Sequence, residues 1–145
     1  MTTHYYECTI KYDKMQDDGS LKKKSEKFLV EALSFAEAET RLTALMRPFT
    51  SGDSDITAIR RLTIAQVFGS DNPKADRWYK GKLAFITLDE RSGAEKRNII
   101  HVLVHASDFD DARNAIQNGM KESMADWEKT TLAATSVVDA FLYDR

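Results

Sequence analysis

Two stretches of this chain, set about 73 residues apart, carry the same order of strand pattern, turn, helix cap and helix face. The first begins at Tyr5. Tyr6, Cys8, Ile10 and Tyr12 alternate with Tyr5, Glu7, Thr9 and Lys11, the period-two pattern of a half-buried strand. Asp17-Asp18-Gly19-Ser20 supplies a turn, because glycine takes positive φ without steric cost. A second strand runs back from Lys22 to Ala32. Ser34 offers a side-chain acceptor to the free N–H groups of a new helix, with Glu37 at its third position. Phe35, Ala38, Leu42 and Leu45 recur at helical spacing, and Pro48 discourages continuation. Ser51-Gly52-Asp53-Ser54 reads as a loop. Residues 56–68, rich in β-branched side chains, read as one third strand.

The second stretch begins at Trp78. Tyr79, Gly81, Leu83 and Phe85 take the places of Tyr6, Cys8, Ile10 and Tyr12, and Gly93 takes that of Gly19 after a one-residue insertion. Val102-Leu103-Val104 stands for Phe28-Leu29-Val30, and Asp108 and Asp111 for Ser34 and Glu37. Phe109, Ala112, Ile116 and Met120 repeat Phe35, Ala38, Leu42 and Met46. Val137, Val138 and Phe141 repeat Ile64, Ala65 and Phe68. The correspondences predict an α+β fold of tandem duplicated β-β-α-β units, 5–68 and 78–141, joined by a short linker over 69–77 with Gly69, Ser70 and Asn72-Pro73. A unit of about 65 residues is marginal alone. A single compact domain over 1–145 is therefore expected, mainly antiparallel, with two helices packed on one face. One continuous sheet and two sheets related by a pseudo-twofold both satisfy the pattern.

Composition sets the setting. Apolar residues at 42% and charged residues at 30% describe a soluble globular chain rather than a disordered one. No run of 18 apolar residues occurs, so no membrane partner is expected, and the first residues lack the pattern of a signal peptide. Cys8 is the one cysteine, which excludes an intramolecular disulfide and fits a reducing cytoplasm. Net charge is −2, with 10 basic and 11 acidic residues in 1–72 and 11 and 12 in 73–145. Nucleic-acid contact would therefore rest on a local patch.

Tyr5-Tyr6-Glu7-Cys8, the run from Lys27 to Phe35 followed by Glu37-Ala38-Glu39, and Trp78-Tyr79-Lys80 resemble a family of short proteins from Bacteroides-group gut bacteria and their phages. The resemblance spans nearly the whole chain. It implies a complete small protein, bacterial or phage-borne, in a family with no assigned activity, and it transfers no catalytic residue.

Strand parity supplies the candidate site. With Tyr6 and Tyr79 turned to the core, Tyr5 and Lys11 in one copy, and Trp78, Lys80 and Lys82 in the other, fall on the face away from the helices. Aromatic rings with cations on an open sheet suit single-stranded nucleic acid. The competing reading covers that face with the other half or a partner copy, since interfaces also enrich tyrosine and tryptophan. Lys22 and Lys24, within the run Lys22-Lys23-Lys24, and Lys96 in the second copy mark two basic hairpins able to grip phosphates. The plainer reading is edge decoration that blocks aggregation. Arg60 and Arg61 alternate to opposite faces.

His101 and His105 share a strand face but sit about 13 Å apart, too far for one metal ion. Asp108, Asp110 and Asp111 are explained by a helix start. No nucleophile elbow, phosphate loop or dinucleotide fingerprint is present, Cys8 reads as buried packing, and neither enzyme activity nor a cofactor is expected. Three functions fit. The first is a non-catalytic accessory protein binding single-stranded nucleic acid; the second is a protein-interaction or homo-oligomeric module; the third is a binder of a small anion such as a nucleotide.

Overall fold

A computed structural model describes residues 2–50 and 53–143. Its elements run β1 (His4–Met15), β2 (Leu21–Ala32), α1 (Phe35–Met46), a 3-10 turn (Arg47–Phe49), β3 (Ser54–Leu62), β4 (Gln66–Gly69), β5 (Arg77–Leu88), β6 (Glu95–Ala106), α2 (Phe109–Met120), β7 (Asp126–Ala134) and β8 (Val137–Phe141). The fold is α+β, with two mostly antiparallel four-stranded sheets and one helix against each. Part of the loop expected over 51–54 lies outside the described residues.

The local signals act where the sequence puts them. Gly19 and Gly93 take φ of 85° and 71° in the two hairpin turns. Asp18 Oδ1 accepts from the Ser20 amide at 2.9 Å, closing the first turn. Ser34 Oγ accepts from the Glu37 amide at 3.1 Å, and Asp108 Oδ1 from the Asp111 amide at 2.8 Å, so both helices begin on a side-chain cap. Ala38, Leu42 and Met46 of α1 are buried, as are Ala112, Ile116 and Met120 of α2, while Leu45 is left at the surface. The ring of Phe35 meets that of Tyr6 at 4.9 Å, and the ring of Phe109 meets that of Tyr79 at the same 4.9 Å. Phe35 and Phe109 are thus half-exposed lids on equivalent core tyrosines.

Residues 56–68 are not one strand. The chain leaves β3 at Leu62 and re-enters a different sheet as β4. One compact unit comprises Met1–Thr63 with Ser136–Arg145, and the other Ile64–Thr135. In unit 1 the strand order is β3-β1-β2-β8, and in unit 2 it is β4-β6-β5-β7. Each half of the chain therefore gives its last strand to the sheet begun by the other half. The donated strands pair in parallel at matching positions, with Phe141 beside Val30 and Phe68 beside Val104. Parallel neighbours cannot be joined by a tight hairpin, and here β4 reaches β6 by way of β5, while β8 returns to β2 only after unit 2 is built.

Each unit has its own core between helix and sheet. In unit 1 it includes Tyr6, Cys8, Ile10, Tyr12, Phe28, Val30 and Leu42; in unit 2, Tyr79, Leu83, Val102, Val104, Phe68 and Ile116. Gly81 stands in unit 2 where unit 1 has Cys8, and a Cβ there would come within 3.1 Å of Val102.

Candidate functional site

The residues proposed from sequence separate onto two faces in each unit. Tyr5 and Lys11 lie on the side of the unit 1 sheet away from α1, opposite Glu31 and Ser25. Tyr5 is half-buried and Lys11 exposed. Between them Glu7 is held by Arg60 at 3.2 Å and Lys27 at 3.7 Å, which neutralises part of the local charge. Lys80 and Lys82 are exposed on the corresponding side of unit 2. Trp78 has the expected parity, but it is 6% exposed and stacks on His105 at 4.7 Å. Its Nε1 is buried and meets no acceptor among the described residues. Ala84 and Leu103 share that side and are also buried. A ring so enclosed offers no face to a base.

Lys22, Lys24 and Lys96 fall on the other side of their sheets. Lys24 is directly opposite Tyr12 and Lys22 directly opposite Lys14 in the β1–β2 register, so each pair projects to the helix side with Cβ atoms about 4.5–5.5 Å apart. Lys96 is opposite Thr87 near the tip of the second hairpin and is exposed.

That helix side of unit 1 holds a cavity of about 580 Å³. Its walls are mainly apolar: Phe28 and Met46 from the core, Phe141 from the donated strand β8, and Pro48 and Phe49 from the turn after α1. Phe28 and Phe141 stack at 5.6 Å. Phe49 is 66% exposed at the mouth, as is Met15. The Tyr12–Glu26–Lys14 cluster, Thr50 and the carboxylate of Asp139 break the apolar lining. The Tyr12 hydroxyl donates to one oxygen of Glu26, and Lys14 Nζ donates to the other at 3.1 Å. Burial first, and then the Glu26 carboxylate, hold the Tyr12 phenol well above its usual range. Glu26 is thus matched by Lys14, and Lys22 and Lys24, set by register beside Lys14 and Tyr12, outnumber the one remaining carboxylate of the lining, Asp139.

Unit 2 does not reproduce this lining. Phe85 and Ile100 stand where unit 1 has Tyr12 and Glu26. Trp127, opposite Phe85, stands where unit 1 has Ser54 opposite Tyr12. Phe85, Ile100 and Trp127 pack against the unit 2 core, so one bulky indole occupies a place that a serine holds in unit 1. Sequence reasoning missed this site because two of its walls, Phe49 and Phe141, come from a turn and from the exchanged strand. The signal that was readable is the break in the repeat at Tyr12, Glu26 and Ser54.

A family model described as Domain of unknown function (DUF4494) matches residues 4–143. The chain belongs to that family. The match runs from the first residue of β1 to two residues beyond β8, so both units, the exchanged strands and the cavity walls fall inside it. No curated protein matches the chain.

Cys8 is fully buried, and burial with the neighbouring Glu7 pushes its thiol up to about 11, so it is protonated at neutral pH. No group of three or more His, Cys, Asp or Glu among the described residues is placed to hold a metal ion. No helix among them is long and apolar enough to cross a membrane.

Proposed function

We propose that the protein is a non-catalytic binder of single-stranded nucleic acid that takes one base into the unit 1 cavity. The supporting observation is the placing of Phe28, Phe49, Phe141 and Tyr12 around one opening, with Lys14, Lys22 and Lys24 alongside it. Aromatic walls stack any base, at roughly 1–3 kcal/mol each. Lysines beside the opening supply the salt-dependent phosphate term. In this reading the stacking ring at the surface is Phe49, not Trp78. Lys22 and Lys24 keep the role expected from sequence, while Tyr5, Lys11, Lys80, Lys82 and Lys96 add at most peripheral charge. An accessory role in the cytoplasm of a Bacteroides-group bacterium, or in its phage, is part of the same proposal.

A free anionic nucleotide presents the same base and phosphate, and a cavity of about 580 Å³, within the usual size of small-molecule pockets, supports it as the second reading. Anisotropy of a labelled single strand, titrated with salt and with competing mononucleotide, tests both. Binding at low salt that weakens as salt rises is expected. Phe49→Ala should weaken it by about 5–150-fold, the equivalent of one stacked base. Lys22→Glu with Lys24→Glu should weaken it and flatten the salt dependence. Displacement by mononucleotide at comparable concentration would assign the free nucleotide. Absence of binding at low salt would remove the proposal.

A further inference from the structure

Unit 2 holds a second, polar hollow of about 370 Å³ beside α2, lined by Asp71, Asn72, Asp111, Asn114, Asn118 and Gly119 among others. The repeat shows what such a place holds when it is full. The position of Ala115 on α2, which lines the hollow, is that of Arg41 on α1. The position of Ser70, also in the lining, is that of Tyr143, two residues past the paired Phe141 as Ser70 is two past Phe68.

In unit 1 these two residues close the space themselves. The Arg41 guanidinium lies 4.3 Å over the Tyr143 ring and donates to the carbonyls of Glu31 and, at 3.3 Å, Phe141. In unit 2 neither side chain is there. Ala115 and Ser70 are small, and Gly119 replaces the bulk of Leu45 at the rim. The Phe68 ring approaches α2 so closely that a Cβ on Gly119 would fall 2.3 Å from it. What remains is a hollow whose acceptors are mainly side-chain oxygens, because the His105 carbonyl, counterpart of the Glu31 carbonyl that Arg41 uses, already takes the Ser70 amide at 2.9 Å. Ser70 Oγ donates to Asp111 Oδ1 at 2.6 Å, and the Ser107 amide to Asp111 Oδ2 at 2.9 Å, which fixes that carboxylate in place and holds it ionised. Asp71 adds a second carboxylate, and Asn114 and Asn118 add amide oxygens.

We infer that this hollow receives an arginine side chain from a partner polypeptide, seated where Arg41 would stand if unit 2 followed unit 1. The chemistry fits a guanidinium better than an ammonium. The guanidinium presents several donors in a fixed fork and is weakly hydrated, so it meets several side-chain acceptors at once at lower desolvation cost. The site is separate from the unit 1 cavity in residues and in charge, and does not depend on that cavity's ligand.

The test uses the full chain, isotope-labelled, with N-acetyl-arginine amide as probe and N-acetyl-lysine amide as control. Saturable shifts of the Asn114, Asn118 and Gly119 amide signals are expected with the arginine probe, at least about tenfold weaker with lysine. Ala115→Arg should abolish them by supplying the guanidinium from within. Because Ala115 is buried and that variant can misfold, Asp71→Asn at the exposed rim serves as second variant and should weaken the arginine shifts by about threefold or more. No shifts with the arginine probe, equal shifts with lysine, or a folded Ala115→Arg protein that responds unchanged would each overturn the inference.

Discussion

The hydroxyl of Tyr12 donates to Glu26, whose second carboxylate oxygen takes Lys14 at 3.1 Å. This places the acceptor for a buried phenol on the facing strand. Glu26→Ile alone, which copies Ile100 of unit 2, should leave the hydroxyl unsatisfied and cost about 1–3 kcal/mol. Adding Tyr12→Phe, which copies Phe85, should recover most of that loss, because removing both partners removes the desolvation penalty. A double-mutant cycle by urea denaturation measures the coupling. A coupling near zero would mean that the pair does not hold the cavity wall.

The close approach of Phe68 to α2 depends on a missing side chain. A Cβ on Gly119 would meet the Phe68 ring at 2.3 Å, whereas one on Gly69 would meet nothing within 4 Å. Gly119→Ala should therefore destabilise unit 2 by about 1–3 kcal/mol through overpacking, despite alanine's better helix propensity. Gly69→Ala should be close to neutral. Thermal melts of the two variants separate them, and equal melting temperatures would contradict the packing described here.

Much of this was legible in the residues. The turns at Gly19 and Gly93, the caps at Ser34 and Asp108, and the inward rings of Tyr6 and Tyr79 all follow from local chemistry that tertiary packing does not oppose. The separation of β3 from β4 was not. Thr63-Ile64-Ala65 contains no glycine, proline or charge, so the period-two pattern runs through the place where the chain changes sheets. Parity gave the side of Trp78 and left open whether that face is free or covered, since alternation assigns a face but not what lies over it. The cavity was illegible for the same reason as the exchange: Phe141 joins Phe28 across 113 residues of sequence only because β8 returns to the first sheet.

The exchange makes an unusual demand on the C-terminus. Residues 136–143 follow unit 2 in sequence but build unit 1, where β8 pairs with β2 and the Tyr143 amide donates to the buried carboxylate of Glu31 at 3.0 Å. Truncation after Thr135 should bare the β2 edge, remove Phe141 from its stack on Phe28, and open unit 1 while unit 2 keeps its four strands. Hydrogen exchange would show loss of protection at Leu29 and Val30, with Leu103 and Val104 retained. Equal loss in both units would show that stability is not divided as the strand order implies.

Cys8 gives a prediction about alkaline pH. Its folded thiol is pushed up to about 11, against an ordinary value of 9.0, chiefly by burial and then by Glu7. The folded state thus holds the proton more tightly than the unfolded one. The stability contributed by the neutral thiol is complete below about pH 9 and falls as pH rises through about 11. The Tyr12 phenol is shifted in the same direction, so comparing wild type with Cys8→Ala across this range isolates the cysteine. Their stability difference should be constant from neutral pH to about 9 and then shrink by about 3 kcal/mol. The same burial predicts that iodoacetamide will leave the folded protein unmodified at neutral pH and react once denaturant opens unit 1. Rapid alkylation of the native chain would place the thiol at the surface and contradict the inward face of β1 on which the whole repeat depends.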